Sequence, residues 1–344
     1  MIVWAFISLS YCWWGGPHYA IAKIAENNLS MVERNYITNL FSLWESENGT
    51  FSSVASWQDE LKGQGSRMFI MGSWHFRNEP VFVPPFHLDD FPHAYNVSSI
   101  LQDLLDCIYN KDTKSVWALS FAFRSIIHFL ADAHTPLHAA GRWSSDFPTG
   151  DVGGNLQYLN CKFGSPCKNL HMMWDSAVLD FQDYPIPDNL VATFNNNISQ
   201  LLNKYPASLF GSRADSLDPN DWLKDGYDVA VGYSYGLLPN GKNPDINNNY
   251  VTQGAAQAKK LISVAGYRLI KVFRKYFDDI GVISLYTSEV TSREVLIWVL
   301  DSIFLIVSIV YYFIAIKKVP MFGFNSPLLE KSESSLSAIS GNKY

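Results

Sequence analysis

The stretch Ile126–Ala139 of this 344-residue chain, IIHFLADAHTPLHA, carries His128, Asp132, His134 and His138 in close succession between apolar runs. Residues four apart share one face of a helix, so His128 and Asp132 point the same way. Pro136 should kink or end that helix before His138. Imidazole and carboxylate one turn apart on a mostly apolar helix is a zinc-ligand pattern. NLHMMWD repeats the spacing with His171 and Asp175, a second such pair in a chain with 8 histidines. His18, Asp59 (in ASWQDELK) and His75 (in SWHFRNEP) add donors of the same kind, and Gly153, Gly154 and Asn155 lie in the loop between. Neutral imidazoles and carboxylates are what Zn²⁺ takes when thiolates are absent.

Helices must position these groups. Apolar spacing predicts helices over residues 18–29, 31–44, 54–61, 98–109, 115–133, 170–181, 189–204, 221–235 and 252–277. Residues 81–96, rich in Pro, Phe, His and Asp, read as loop. Residues 141–156 read as a Gly-rich loop with room for one short strand, and 205–220 break into turns. No run of strands emerges, so the expected fold is all-α, with one catalytic domain over 13–285. The basic face of the last helix (Lys259, Lys260, Arg268, Lys271, Arg274, Lys275) reads as solvated surface. His134 reads as a packing residue behind the ligands, and His87 and His93 as loop residues.

A net charge of −6 argues against a polyanion binder that relies on basic surface. If the substrate is a phosphate ester, metal ions must supply the positive charge. The aromatic share of 15% offers stacking faces, although most of those rings belong in a core.

The ends carry other signals. Residues 1–12 (MIVWAFISLSYC) read as a brief secretory signal, too short to span a bilayer. Residues 286–294 form a short stalk, and the apolar run 295–316 is long enough to cross a membrane. Its one charge, Asp301, lies near the outer end. Lys317 and Lys318 follow, placing the tail 317–344 in the cytoplasm, its Ser/Asn/Lys-rich end disordered. The expected product is a single-pass type I membrane protein with its catalytic domain at the cell surface or in a secretory or endosomal lumen. Sequons at Asn28, Asn48, Asn96 and Asn197 fit that route. Cys161 and Cys167 flank a short Gly/Pro loop and could close a disulfide, with a zinc thiolate site as the rival reading. Cys107 is left unpaired if Cys12 leaves with the signal.

Taken together, W-x4-H, SWxDxxK, WHF, HFxxDxHxPLH, GGN and NLHxxWD resemble, in order and spacing, the motifs of the zinc-dependent S1/P1 nucleases. That family includes 3′-nucleotidase/nucleases anchored on some protist cell surfaces. The likeness runs from Trp13 to about Arg268, with AGYRL at 265–269 similar to the family's final helix. It implies three zinc ions. One would take Asp59, His75, His128 and Asp132, and a second His138, His171 and Asp175. The third would take His18, Asp132 and the free amino group and carbonyl of Trp13, which signal cleavage would expose. The implied chemistry is hydrolysis of the P–O3′ bond in single-stranded RNA or DNA and in 3′-mononucleotides, by metal-activated water, leaving 5′-phosphates.

In that scheme Asp59 and Asp132 serve the reacting metals. Lys62, one turn after Asp59, would neutralise phosphoryl oxygens. Phe76 would stack a base against Val152, and Asn155 joins the substrate contacts. Asn78 stands where the family often has an acidic residue that reads a base edge, so base preference is left open. Pro17 replaces a usual Gly, and Trp13–Trp14 leaves the cleavage register ambiguous by one. Two rival functions share the fold: a three-zinc phospholipase C acting on lipid head groups, and a non-catalytic surface receptor. No protein partner is implied.

Overall fold

A computed structural model describes residues 14–43, 49–63, 67–87, 95–110, 115–164, 166–181, 186, 188–239, 241–280, 296–309 and 311. The chain divides into two compact units, residues 1–283 and 284–344. The first is mainly helical. Its helices are α1 (Gly15–Asn28), α2 (Met31–Phe41), α3 (Phe51–Val54), α4 (Trp57–Gly63), α5 (Val97–Tyr109), α6 (Val116–Ala133), α7 (Pro136–Ala139), α8 (Leu170–Asp175), α9 (Val191–Lys204), α10 (Pro219–Val229) and α11 (Asn248–Ile280).

Local chemistry sets several of these boundaries. Ser30 and Glu33 form a reciprocal capping box that starts α2, and Asn96 with Ser99 does the same for α5. Pro136 sits in the first turn of α7, where its missing N–H costs nothing, so the chain stops at His134 and restarts two residues later. The helix α6 is the central rod: α1, α2, α4, α5, α10 and α11 all pack on it. It is long and apolar enough to cross a membrane, yet 78% of it is buried inside the domain, as a core helix should be.

Where α1 crosses α11, the two backbones approach closely. A Cβ placed on Gly266 would lie 2.6 Å from Cγ2 and 2.8 Å from Cβ of Ile24, so no larger residue fits there undisturbed. The glycine of AGYRL is a packing requirement. Arg268 of the same motif, read from sequence as solvated, is instead buried. It donates to His134 Nε2 at 2.7 Å, pairs with Asp225 at 2.8 Å and donates to the Arg213 carbonyl at 2.9 Å. His134 in turn donates Nδ1–H to the Leu130 carbonyl at 2.7 Å. Burial and the Arg268 charge both hold His134 well below its usual range, so it stays neutral and accepts. This network bolts the end of α6 to α10 and α11. Four others of the basic face are in ion pairs: Lys259 with Asp180, Lys271 with Asp215, Arg274 with Glu33, and Lys275 with Asp279.

Four expectations need correcting. Residues 81–96 are not all loop: Glu79–Phe82 forms β1, which pairs in parallel with β2 (Ala140–Trp143), Glu79 opposite Ala140. The helix expected over 170–181 ends at Asp175, because Ala177, Val178 and Leu179 take left-handed backbone. The helix expected over 221–235 starts at Pro219 and passes into a π turn at Ala230–Ser234. The last helix is longer than its apolar pattern, running Asn248–Ile280.

In the second unit the described helix is Leu296–Ile309. At about 1.5 Å per residue its 14 residues reach about 21 Å, short of a hydrocarbon core of about 30 Å. Residues 295, 310 and 312–316 of the expected span lie outside the described residues, as do the signal, the stalk and the tail. Cys161 and Cys167 are joined as a disulfide, which removes the thiolate-site reading for that pair.

The Gly266 contact is testable. Valine there should lower stability by about 2–3 kcal/mol despite its better helix propensity. Urea unfolding should show a lower midpoint at unchanged slope.

Candidate metal centre

Five histidines and three aspartates converge where α1, α4, α6, α7 and α8 meet. Ligand atoms within 4.8 Å of one another form three groups: His75, His128 and Asp132; His138, His171 and Asp175; and His18, Asp59 and His128. His18, His75, His128, Asp132 and His138 are fully buried, and His171 and Asp175 nearly so. Asp59 keeps 12% of its side chain exposed and marks the open side.

Asp132 stands at the junction. Its Oδ2 lies 2.8 Å from His75 Nδ1 and 3.1 Å from His128 Nε2, and those two nitrogens are 3.2 Å apart. Asp59 Oδ1 is 3.8 Å from each of them. Ligands at about 2.0–2.2 Å from a tetrahedral ion are separated by about 3.4 Å, so these four atoms bracket the edges such an ion requires. The other oxygen, Oδ1, faces His18 Nε2 at 3.4 Å, and the His18 and His128 rings stack 4.1 Å apart. In the remaining group His171 Nε2 is 3.2 Å, and His138 Nε2 3.9 Å, from the Asp175 carboxylate.

The outer nitrogens of three histidines are fixed by backbone carbonyls. His128 Nδ1 meets Ala55 O at 2.7 Å, His138 Nδ1 meets His75 O at 3.0 Å, and His171 Nδ1 meets Gly153 O at 2.7 Å. A carbonyl can only accept, so each Nδ1 carries the proton and each Nε2 presents a lone pair inward. That is the arrangement metal-ligating histidines adopt. The donor set thus fits a divalent cation that prefers nitrogen and carboxylate oxygen, as Zn²⁺ does. Electrostatics agree. Burial alone would raise the Asp132 carboxyl, but His128 and His138 overcome it and hold the group well below the usual carboxylate range. Burial would depress His128, yet Asp132 and Asp59 raise it. Burial, aided by the His128 charge, lowers His18.

The ribbon of β1 and β2 explains how distant ligands meet. The N–H groups of Arg77 and Asn78 both donate to the His138 carbonyl, at 2.8 and 3.1 Å, clamping the His75 segment to α7. The Gly-rich loop does the same for His171. Val152, Gly153 and Gly154 have φ of 57°, 59° and 80°, an uninterrupted left-handed run. A Cβ on Gly153 would sit 2.3 Å from Leu137 O, so only glycine can bring its carbonyl to His171. Buried Asp151 anchors the loop, accepting from the Arg142 N–H at 2.9 Å and from the Tyr235 hydroxyl at 3.1 Å.

Family model and curated relatives agree on what this assembly belongs to: residues 13–278 match the S1/P1 Nuclease family. The chain is a member of that family. Endonuclease 3 of Arabidopsis thaliana is 22% identical over 296 residues, covering 81% of this chain and 93% of the relative. Endonuclease 4 of the same plant is 22% identical over 307 residues, covering 81% and 94%. Endonuclease 2 is 27% identical over 185 residues, covering 48% of this chain and 56% of its own. As a member the chain is a nuclease, a hydrolase of nucleic-acid phosphoesters, with His/Asp groups able to hold metal.

The remaining sequence-derived positions fall around the clusters. The Phe76 ring centre is 4.7 Å from that of His138 and 6.4 Å from that of His171, so the ring covers the His138–His171–Asp175 group. Asn78 takes left-handed backbone (φ 53°), and its Oδ1 borders Gly153. Val152 is 52% exposed at the mouth. Asn155 turns its Nδ2 to the Val152 carbonyl at 3.0 Å, closing the loop. Lys62 follows Asp59 by one turn of α4, but the placement of its side chain lies outside the described residues. Trp13 also lies outside them, although the next residue is pinned: Trp14 N–H donates to the Asp175 carbonyl at 2.8 Å.

Sequence reasoning missed the carbonyls of Ala55, His75 and Gly153 and the Asp151 anchor. Backbone groups leave no residue-type signature, and of these only the glycines left a trace. Replacing Gly153 with alanine should weaken Zn²⁺ binding at the His138–His171–Asp175 group about 10–100-fold. Titration against a competing chelator would show it; unchanged affinity would mean that Gly153 does not set His171.

Proposed function

We propose that the chain is a zinc-dependent nuclease and 3′-nucleotidase that cleaves the P–O3′ bond of single-stranded RNA, DNA and 3′-mononucleotides, leaving 5′-phosphates. The observation that carries this reading is the convergence of five imidazoles and three carboxylates, Asp132 among them, beside the Phe76 ring. Asp59, His75, His128 and Asp132 would hold one zinc ion, and His138, His171 and Asp175 a second. His18 and Asp132, with the amino group and carbonyl of Trp13, would hold the third. Metal bound there would provide a water acidic enough to deprotonate near neutral pH and positive charge for the departing 3′-oxygen. The rest falls to the chain. Asp132, with one oxygen toward His75 and His128 and the other toward His18, links two sites. Asp59, with 12% of its side chain exposed, would be the ligand nearest an incoming phosphate. Lys62 neutralises phosphoryl oxygens from one turn further along α4.

Phe76 and Val152 receive a base between them. Stacking is worth about 1–3 kcal/mol per base and needs an unpaired strand, which selects single-stranded substrates. Three carboxylates gathered in a chain of net charge −6 would repel a phosphate diester unless cations were bound, which supports a metal-dependent reaction. Removal of residues 1–12 would free the Trp13 amine, and an apolar anchor over 295–316 would hold the catalytic domain on the outer or lumenal side of a membrane. Glycans are proposed for Asn28, Asn48 and Asn197. A glycan is proposed for Asn96 too: its side-chain oxygen caps α5, accepting from Ser98 N–H at 2.9 Å, and a glycan would attach to the amide nitrogen instead.

Purified protein should release phosphate from 3′-AMP and degrade single-stranded DNA, and lose both activities to a chelator. Hydrolysis of phosphatidylcholine alone would favour a lipase reading instead. Asp132→Ala should abolish hydrolysis and lower zinc content by more than one ion per chain by mass spectrometry, whereas normal activity would remove Asp132 from the mechanism. Protein carrying extra residues before Trp13 should be impaired; full activity with the extension intact would exclude the N-terminus as a ligand.

A further inference from the structure

The helix α10 widens at its end into the π turn Ala230–Ser234, in which Tyr235 N–H reaches back five residues to the Ala230 carbonyl at 2.8 Å. A turn of this kind fits one extra residue into a helix and occurs frequently at functional sites. Gly236 follows it for a steric reason: a Cβ there would lie 2.4 Å from the Val231 carbonyl oxygen. The consecutive residues Ser234 and Tyr235 are both buried, while Val231 on the turn is exposed. Each of the two buried residues holds a different support of the same ligands. The Ser234 carbonyl accepts from the Tyr250 hydroxyl at 2.8 Å, and that hydroxyl accepts from the Trp174 indole N–H at 2.9 Å. Trp174 is fully buried on α8, between His171 and Asp175. Tyr235 donates its hydroxyl to Asp151, the anchor of the loop whose Gly153 carbonyl fixes His171. The Arg142 guanidinium lies 5.2 Å from the centre of the Tyr235 ring, a cation–π contact that holds the ring in place. Burial raises both tyrosines above their usual range, so both hydroxyls stay protonated and donate. The turn also packs on α7, which carries His138.

We infer that the π turn is a positioning element for one metal group, and that Tyr235 and Tyr250 are the positioning residues through which it holds His171 and Asp175 in register with His138. The inference rests on the zinc reading above and deepens it: residues that touch neither metal nor substrate set the affinity for one ion. Both routes to His171, through the helix that bears it and through the loop that orients its ring, end on this turn. An ordinary α turn in its place would rotate the residues that follow by about 100° and carry the Tyr235 hydroxyl away from Asp151. Groups that orient metal ligands from behind are commonly worth 10–100-fold in affinity. Tyr235 and Tyr250 act through one further residue, Asp151 or Trp174, which places them at the low end of that range.

The test removes only the two hydroxyls, in the full-length protein carrying Tyr235→Phe and Tyr250→Phe together. Zinc is titrated into chelator-stripped protein against a competing chelator, and native mass spectrometry counts the ions bound. His171→Ala identifies the ion of interest by removing its binding step. Tyr267→Phe is the control: its hydroxyl donates to the Tyr205 carbonyl at 3.2 Å, elsewhere on α11. The paired variant should weaken that one ion about tenfold and leave the others within about twofold of wild type. The control should leave every ion within about twofold. Unchanged affinity for the ion that His171→Ala removes would overturn the inference. So would a loss shared equally by all the ions, or one reproduced by the control, since the hydroxyls would then support the fold in general. Failure of the zinc reading is distinct, because it shows in the wild type: that protein would itself bind less than one zinc per chain, and the inference would fall with it.

Discussion

A carboxylate with no exposed surface, Asp132, is the constraint around which this domain is built. Burying an ionised carboxylate is costly unless opposite charge and hydrogen-bonding partners come with it. Here His75, His128, His138 and His18 come from four separate stretches of chain, and each lies within 3.4 Å of one of its two oxygens. The helix α6 carries Asp132 and His128 through the middle of the core, and the elements that surround α6 bring the other imidazoles to them. A group so placed is not there for stability alone, because a well-packed apolar residue would serve a core as well. Its retention makes sense if cations share the pocket.

Behind the side chains lies a shell of backbone. Carbonyls of Ala55, His75 and Gly153 take the outer protons of three imidazoles, so the inner nitrogens are available before any ion arrives. Two devices outside the helices make this geometry reachable: the short parallel ribbon that ties residues 79–82 to 140–143, and the left-handed run at 152–154. Both trade local backbone comfort for the position of a ligand, as functional sites commonly do.

Much of the site was legible because side-chain ligands announce themselves by type and spacing. The pairs His128/Asp132 and His171/Asp175 could be read as one-turn neighbours, and the helices bearing them were found by apolar period. The all-α character followed from the same signal. What escaped detection was short or backbone-borne. The strand at 79–82 contains Pro80 and precedes Pro84–Pro85, so its composition reads as loop, and its pairing partner lies sixty residues downstream. The early end of α8 depends on three left-handed residues, Ala177, Val178 and Leu179, none of which is a usual helix terminator. Arg268 was misread for another reason: charge and helical position point to solvent, and only the tertiary placement of His134 and Asp225 accounts for its burial.

The central claim, that this carboxylate and its imidazoles exist to share cations, is tested most directly by anomalous scattering from crystals of the protein grown with zinc. The account predicts separate peaks at the zinc edge, one between His75, His128, Asp59 and Asp132, one between His138, His171 and Asp175, and one beside His18. A density map with ordered, direct hydrogen bonds among these side chains and no anomalous peak between them would contradict it.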